Sequence, residues 1–232
     1  MNPVTLDVVL LLPAHLRQKA VECSELLAKR MAEQGSLSRF QLGKPYHGGS
    51  TDHCEPHVSL FMLSVDETEV HRVTQTIGHL ATKLPTLSVD GHEYRHNPYG
   101  APELYFRKTP QWRNVQRAII SNVEPLRRGR LRDTDPSGAR IRDVIENLSE
   151  EDPQRHQLLK YGYDEIAEDS TGDQDRFNPH ITLAWPRDPD RRVSFDGLPL
   201  PQVFSGHLTG LAVFGMSAYG TCTKSYGSFR LV

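Results

Sequence analysis

Hydrophobic and polar positions divide the chain into short apolar runs and stretches with helical spacing. Residues 4–12 form an aliphatic run, interrupted by Asp7 and ended by Pro13, which is typical of a buried strand. From residue 14, hydrophobic side chains recur with the spacing of one helix face until Gly35, which favours a helix end. The pattern therefore predicts an opening β–α unit.

The same criteria predict the remaining elements. Strands are predicted at residues 39–42, 57–65, 86–90, 103–107 and 180–185, helices at 66–84 and 111–126, and a closing hairpin at 208–217 and 221–231. Residues 43–56 read as an irregular loop. The stretch 127–176, first basic and then acidic, breaks this rhythm and is predicted to be a polar insertion with one or two helices. Because strands and helices mix without regular alternation, we expect an α+β fold with antiparallel sheets.

Charge and cysteine content narrow the class of protein. The 232 residues carry a formal net charge of −2, so no global field attracts nucleic acid or an anionic membrane, and a polyanion must be held locally. No apolar run approaches the length of a membrane span, and we expect a soluble protein without a secretory signal. The three scattered cysteines do not suggest a disulfide framework, which favours a reducing, cytoplasmic location.

One local pattern occurs twice. Residues 56–60 and 179–183 both read Pro, His, an aliphatic residue, a hydroxyl residue and Leu, and each copy follows a loop and opens a predicted strand. Since side chains alternate between the two faces of a strand, His57 shares a face with Ser59, and His180 shares a face with Thr182. Each strand is therefore predicted to present one imidazole and one hydroxyl on a common surface.

Two such pairs in one cleft would have a defined chemistry. An imidazole with an ordinary pKa of about 6.5 can serve as a base when neutral and as an acid when protonated. Hydroxyl groups can hold phosphate oxygens without a metal. A single histidine at a strand start is more commonly structural, but the repeat of the proline, the hydroxyl and the leucine together favours function.

These motifs resemble those of the two-histidine (2H) phosphoesterase superfamily, also called 2′-5′ RNA ligase-like. The likeness extends to the order of elements and to Tyr161-Gly162-Tyr163 ahead of Phe177-Asn178-Pro179-His180. Two features depart from the family pattern: the first motif has Ser where Thr is commoner, and residues 127–176 look like an insertion. The resemblance implies a single bilobal α+β domain over residues 1–232, with a pseudo-twofold axis, two antiparallel sheets flanking a central cleft and helices outside. The polar stretch at about 127–176 would be an insertion in this domain. It also implies catalysis without a metal, and we expect a monomer that uses no cofactor.

The resemblance further implies a phosphodiesterase. Its substrate would be a 2′,3′-cyclic phosphate or a 2′-5′ or 3′-5′ phosphodiester in an RNA end, an oligonucleotide or a cyclic nucleotide. His57 and His180 would be the acid/base pair, and Ser59 and Thr182 would bind the phosphate. We expect His180 to deprotonate the attacking water and His57 to protonate the leaving oxygen, although the motifs leave the reverse assignment open.

Three other functions are compatible with the sequence. They are a nucleotide-binding module with little or no turnover, a reversible 2′-5′ RNA ligase, and a metal-dependent hydrolase built from the His53/His57 and His92/His96 pairs. The metal-dependent hydrolase is the weakest, because neither pair lies in a helix-like segment and surface loop histidines explain them as well.

Three features outside the motifs are candidates for substrate contact. Tyr219, at the predicted hairpin turn, could stack on a base. Lys224, on the return strand, could reach a phosphate or face water. The basic run 127–132 could grip an RNA backbone, but it is more typical of a solvated helix end.

Overall fold

The computed structural model describes residues 3–46, 52–168 and 174–232. Parts of the predicted loop and insertion, including Asp169 and Asp173, lie outside these residues. The opening β–α unit is confirmed, with strand β1 over Pro3–Leu11 and helix α1 over Ala14–Glu33. Gly35 follows the helix with φ of 73°, a left-handed conformation that glycine adopts without strain.

Strand β1 lies inside a four-stranded antiparallel sheet. The strand order is β11-β10-β1-β3, where β3 covers His57–Asp66, β10 covers Gly210–Met216 and β11 covers Cys222–Arg230. The side chains of Leu6, Val8 and Leu10 are fully buried in the main core. The predicted strand at 57–65 and the closing hairpin are confirmed.

A second antiparallel sheet carries the other motif. Its order is β5-β6-β7, with β5 over Gly91–His96, β6 over Pro102–Phe106 and β7 over His180–Thr182. Two smaller ladders join β2 (Ser38–Gln41) to β8 (Ala184–Pro186) and β4 (Leu87–Val89) to β9 (Gly206–Leu208). All these pairings are antiparallel, as the α+β prediction requires.

Two predictions for strands need correction. Strand β5 was not predicted, because its sequence is mostly polar and it lies at a sheet edge, where hydrophobic alternation is weak. Residues 180–185 form two strands rather than one. Strand β7 pairs with β6 as far as Thr182, and the backbone amide of Leu183 makes the last hydrogen bond, to the carbonyl of Pro102. The following residues form β8, which pairs with β2 instead.

The predicted helices at 66–84 and 111–126 are observed as α2 (Val70–Ala81) and α3 (Pro110–Val123). Helix α2 packs on β11, and a Cβ added at Gly78 would lie 2.8 Å from the ring of Phe229. This close approach explains the glycine in the middle of a helix. No helix among the described residues has the length and apolar character to cross a bilayer.

The described part of the insertion contains two helices, α4 (Ile141–Asn147) and α5 (Pro153–Tyr161), which confirms their prediction. The interpretation of the basic run as a solvated helix end is wrong for Arg127 and Arg132, which are both buried. Arg127 donates to the backbone carbonyls of Arg130 and Lys160, because a planar guanidinium can join several chain segments at once.

Candidate active site

The first motif faces a buried carboxylate on the neighbouring strand. In the β1–β3 pairing, Ser59 lies opposite Val9, just past a bulge, and its Oγ donates a 2.7 Å hydrogen bond to Oδ2 of Asp7. The same carboxylate oxygen lies 3.9 Å from Nε2 of His57. The alternation predicted for His57 and Ser59 thus brings both side chains to Asp7.

The second motif repeats this arrangement in the other sheet. Thr182 lies opposite Glu103 in the β6–β7 pairing, and its Oγ1 donates to Oε1 of Glu103 at 3.3 Å. Nε2 of His180 lies 3.7 Å from the same oxygen. Each half of the site therefore contains a histidine, a hydroxyl and a buried carboxylate in the same mutual relationship.

Each histidine is oriented by its own backbone. Nδ1 of His57 lies 2.6 Å from the carbonyl oxygen of Glu55, and Nδ1 of His180 lies 2.7 Å from that of Asn178. Because a carbonyl only accepts hydrogen bonds, Nδ1 carries the hydrogen in both rings. In a neutral imidazole, Nε2 then keeps its lone pair, which is available for proton transfer.

A cation fixes the loop that precedes each histidine. Arg17 of helix α1 donates to both carboxylate oxygens of Glu55, at 2.7 and 2.9 Å. On the other side, Nζ of Lys108 donates to the carbonyl oxygen of Phe177 at 2.7 Å. The loop before each motif histidine is therefore held in place by a hydrogen bond from a cationic side chain.

The two motifs meet in one cleft of about 560 Å³. His57, Ser59, His180 and Thr182 all line it, and Cα atoms of β3 and β7 approach within 8 Å of each other. These four side chains are the reacting set predicted from the repeated motif, and the fold brings all four together.

The wall of the cleft contains both charges and aromatic rings. Trp185 stacks on Tyr99 with ring centroids 5.7 Å apart and meets Tyr219 at 5.5 Å. Arg39 lies 5.1 Å from the centre of the Tyr219 ring. Tyr219 lines the cleft, as expected for a stacking residue. The charged side chains that line it are Arg95, Arg132, Arg176, Glu103, Asp135, Asp164 and Glu165.

Lys224 does not line this cleft, contrary to the contact considered from the sequence. Its side chain is exposed, and Nζ lies 4.8 Å from the centre of the Tyr226 ring on the same strand. On strand β11 it pairs with Gly215.

The insertion forms one side of the cleft. The backbone amide of Tyr219 donates to the carbonyl of Pro136 at 2.9 Å, and the hydroxyl of Tyr99 donates to Asp135 at 3.0 Å. The guanidinium of Arg132 lies deeper, with only 1% of its side chain exposed and its NH1 3.3 Å from Sδ of Met62. The insertion thus covers the aromatic wall and adds a buried cation to the cleft.

The two histidines experience different electrostatic surroundings. Burial lowers the pKa of His57, with the nearby carbonyl of Glu55 only partly opposing it. Burial also acts to lower the pKa of His180, but the carboxylates of Glu103 and Glu165 outweigh it and raise that pKa. At a pH between the two pKa values, His57 is therefore mostly neutral and His180 is mostly protonated.

Burial also perturbs the carboxylate of the first half-site. It raises the pKa of Asp7 to about 7, although the hydrogen bond from Ser59 opposes the shift. Oδ1 of Asp7 is buried without a hydrogen-bond partner among the described residues. At neutral pH a substantial fraction of Asp7 is therefore uncharged, so this carboxyl does not hold a proton on His57 as Glu103 does on His180.

The described residues do not bring the predicted zinc ligands together. His92 and His96 lie on β5 and His57 lies on β3, so the proposed grouping of His53/His57 with His92/His96 is wrong. The one group of three potential ligands found among the described residues is Asp7, His57 and Cys222. All three cysteines are buried and unpaired, as the absence of a disulfide framework predicted.

Sequence reasoning missed Asp7 and Glu103. Each is an acidic residue inside an otherwise apolar, buried strand, and both side chains are almost fully buried. A charge in that position is costly unless it has partners, which makes it a signal of a site. Neither sequence position indicates which motif the carboxylate faces, because that depends on strand pairing.

Comparisons with known proteins agree with this architecture. The sequence matches no protein-family model and no curated protein sequence. Solved structures match along the whole chain. A phosphoesterase crystal structure has 12% identity and a TM-score of 0.54, covering 100% of this chain and 99% of its own. E. coli LigT complexed with ATP has 13% identity and a TM-score of 0.53, with the same coverage.

A third structure, TT0787 of Thermus thermophilus, has 17% identity and a TM-score of 0.51, and covers 98% of this chain and 97% of its own. At identities this low, the structural similarity shows the fold alone. The chain therefore has the α+β fold of E. coli LigT along its whole length, as the resemblance noted in the two motifs led us to expect.

Proposed function

We propose that this protein is a metal-independent phosphodiesterase that cleaves a 2′,3′-cyclic phosphate, or a 2′-5′ or 3′-5′ phosphodiester, in an RNA end or a small nucleotide. The observation that carries the proposal is the pair of half-sites with matching geometry. In each, a histidine with its lone pair on Nε2 and a hydroxyl face the same cleft. Such a pair can supply one base and one acid to a single reacting phosphate.

The surroundings of the histidines support His57 as the base and His180 as the acid. This is the reverse of the assignment expected from the sequence. A base must be neutral before the reaction, and burial lowers the pKa of His57. An acid must be protonated, and Glu103 and Glu165 raise the pKa of His180 against the effect of burial.

On a cyclic phosphate, Nε2 of His57 accepts a proton from water as the water oxygen bonds to phosphorus. The bond from phosphorus to one ribose oxygen breaks, and Nε2 of His180 gives its proton to that oxygen. The product is a phosphate monoester with a free ribose hydroxyl. Attack on the same cyclic phosphate by a ribose hydroxyl in place of water would give a phosphodiester, which is ligation.

The hydroxyls of Ser59 and Thr182 are the proposed donors to the non-bridging oxygens. The Thr182 bond to Glu103 is long, at 3.3 Å, and Glu103 also accepts from Asn97 at 2.7 Å, so the threonine hydroxyl can turn to a phosphate at small cost. When Asp7 is protonated, its carboxyl can donate to Ser59, which frees the serine hydrogen for the substrate.

Small nucleotides fit the site better than long RNA. LigT structures hold NADP⁺, ATP and 3′-AMP, and the aromatic wall of Tyr99, Trp185 and Tyr219 offers ring faces for a base. The insertion forms one side of a cleft of about 560 Å³. We propose a cytoplasmic location, which the three buried free thiols support, and a monomer with one bilobal domain.

The test compares wild type with His57→Ala and His180→Ala in buffer containing EDTA. Substrates are 2′,3′-cyclic nucleotides, 2′-5′ oligoadenylate and cyclic dinucleotides, with products separated by chromatography. We expect turnover by wild type and losses of at least about 100-fold in both variants. His92→Ala, an exposed histidine outside the cleft lining, is the matched control and should keep full activity.

Two outcomes would replace this proposal. Binding of a nucleotide in a thermal-shift assay, without turnover of any substrate, would identify a nucleotide-binding module. Activity that EDTA abolishes and a metal restores would identify a metal-dependent hydrolase. Joining of a 2′,3′-cyclic phosphate end to a 5′-hydroxyl end, lost in the same two variants, would show that the reaction also runs as a ligation.

A further inference from the structure

The first motif histidine, His57, meets two other potential metal ligands, Asp7 and Cys222. Sγ of Cys222 lies 3.6 Å from Nε2 of His57 and 3.9 Å from Oδ2 of Asp7, and these nitrogen and oxygen atoms are themselves 3.9 Å apart. Cys222 begins strand β11, directly after the hairpin turn, so three different strands supply the three atoms. None of these contacts belongs to the proposed proton transfers.

The triangle has the size of a zinc site. With sides of 3.6 to 3.9 Å, its centre lies about 2.2 Å from each vertex, close to the ~2.3 Å of a zinc–sulfur bond and the ~2.0 to 2.2 Å of zinc–nitrogen and zinc–oxygen bonds. A thiolate, an imidazole and a carboxylate are also the donor types that zinc takes in proteins. Small movements of the three side chains would bring their ligand atoms to zinc-binding distances.

The groups that orient metal ligands are already in place. Nδ1–H of His57 donates to the carbonyl of Glu55 at 2.6 Å, which directs Nε2 toward the triangle. Ser59 donates to the carboxylate of Asp7 at 2.7 Å. A backbone carbonyl behind a ligating imidazole and a hydrogen bond to a ligating carboxylate are the usual outer partners of zinc ligands.

Asp7 gives an independent indication. Its Oδ1 is fully buried and has no hydrogen-bond partner among the described residues. Within the same residues, His57 is the one potentially cationic side chain at ion-pair distance from this carboxylate. A bound divalent ion would compensate this buried group. The second half-site lacks the arrangement, because the described residues near His180 and Glu103 include no cysteine that completes a group of three ligands.

We propose that Asp7, His57 and Cys222 form a Zn²⁺ site, and that Zn²⁺ bound there inhibits the enzyme. On binding, the Cys222 thiol and any protonated Asp7 carboxyl release their protons, while His57 keeps its Nδ1 hydrogen and gives its Nε2 lone pair to the metal. The fourth position is left to water from the cleft that His57 lines. The inhibition rests on the proposed function, because the bound metal takes the Nε2 lone pair that His57 would use as a base. The metal binding itself does not depend on the proposed function.

Cobalt(II) tests the binding without any substrate. Titration of metal-free protein with Co²⁺ should give a thiolate-to-cobalt charge-transfer band that saturates at one equivalent. The band should persist in Cys54→Ser and His180→Ala and disappear in Cys222→Ser and His57→Ala. Wild type without the band, or Cys222→Ser with it, would overturn the site. Circular dichroism of each variant checks that a lost band does not reflect unfolding, and Cys222→Ala provides a second replacement.

Zinc inhibition tests the consequence. At a fixed concentration of the cyclic nucleotide that is turned over, Zn²⁺ should inhibit wild type and Cys54→Ser, and EDTA should reverse the inhibition. Cys222→Ser should need at least about ten times more Zn²⁺ for the same inhibition. Equal inhibition of Cys222→Ser, or stimulation by zinc, would overturn the inhibitory role. If no substrate is turned over, the proposed function fails while the cobalt result still decides the metal site.

Discussion

Oγ of Ser59 donates a 2.7 Å hydrogen bond to the buried carboxyl of Asp7 across the β1–β3 pair. Among the described residues, this carboxyl is the hydrogen-bond partner of the first motif's hydroxyl. The bond connects a residue that faces the cleft to a carboxyl that solvent does not reach. The protonation of Asp7 consequently affects both the stability of the fold and the direction of the serine hydrogen.

Asp7 should make the fold less stable as pH rises. Burial raises its pKa from 3.8 to about 7, so between these values the folded state binds more protons than the unfolded state. The free energy of unfolding then falls by about 1.4 kcal/mol per pH unit from about pH 4 to about pH 7 and levels off above that. Asp7→Asn removes this contribution.

Urea unfolding of wild type and Asp7→Asn at several pH values, with EDTA present, measures the effect. The stability of the variant relative to wild type should increase through this range, by up to about 4 kcal/mol in total. A difference that stays constant with pH would show that Asp7 ionises normally in the folded protein.

Glu103→Gln should move the pH dependence of catalysis. Glu103 lies 3.7 Å from His180 and helps to raise its pKa, so removing the negative charge lowers that pKa. The acid is then lost at lower pH, and the alkaline limb of the pH–rate profile should shift down by about one unit or more. Activity should recover on acidification.

The control for this profile is Glu25→Gln, an exposed residue of helix α1 that does not line the cleft. Its alkaline limb should coincide with that of wild type. A Glu103→Gln profile of unchanged shape but uniformly reduced height would contradict the role of Glu103 in keeping His180 protonated.

Removal of the two hydroxyls should affect activity alike and stability differently. Ser59→Ala and Thr182→Ala each delete one proposed phosphate donor, and each should lower kcat by roughly 100-fold. Ser59→Ala also removes the 2.7 Å hydrogen bond to the buried carboxyl of Asp7, which should cost about 1 to 3 kcal/mol. Thr182→Ala should cost less, because Glu103 still accepts from Asn97.

Ser59→Thr and Thr182→Ser keep the hydroxyl and serve as matched controls for both measurements. Kinetics and urea unfolding of the four variants separate the two effects. Full activity of either alanine variant would exclude its hydroxyl from phosphate binding.

Tyr219 combines a proposed stacking role with a strained backbone. Its φ is 61°, a left-handed conformation that costs a side-chain-bearing residue about 1 kcal/mol relative to glycine. Tyr219→Gly should therefore be more stable than Tyr219→Ala by about that amount. Both variants should raise KM with little change in kcat, since both lose the ring beside Trp185.

Thermal unfolding and steady-state kinetics of these two variants test the prediction. Tyr226→Ala, whose ring contacts Lys224 rather than the cleft, is the control. An unchanged KM in both Tyr219 variants would remove this residue from the substrate site.

Local sequence was sufficient to predict the elements with strong periodicity and the two histidines proposed to react. Strand β1, helix α1 and both motif strands follow from hydrophobic spacing, because burial of one face fixes which side chains share the other. That rule also placed His57 with Ser59 on a single surface. The repeat of the motif was visible without any structure.

The partners of those residues became known only from the folded chain. The pairing of Asp7 with the first motif and of Glu103 with the second depends on strand register between segments far apart in the chain, which local pattern does not encode. The packing of the polar edge strand β5 and the burial of Arg132 also depend on contacts between segments far apart in the chain. Cys222 reaches His57 only because the closing hairpin returns to the sheet that contains β1.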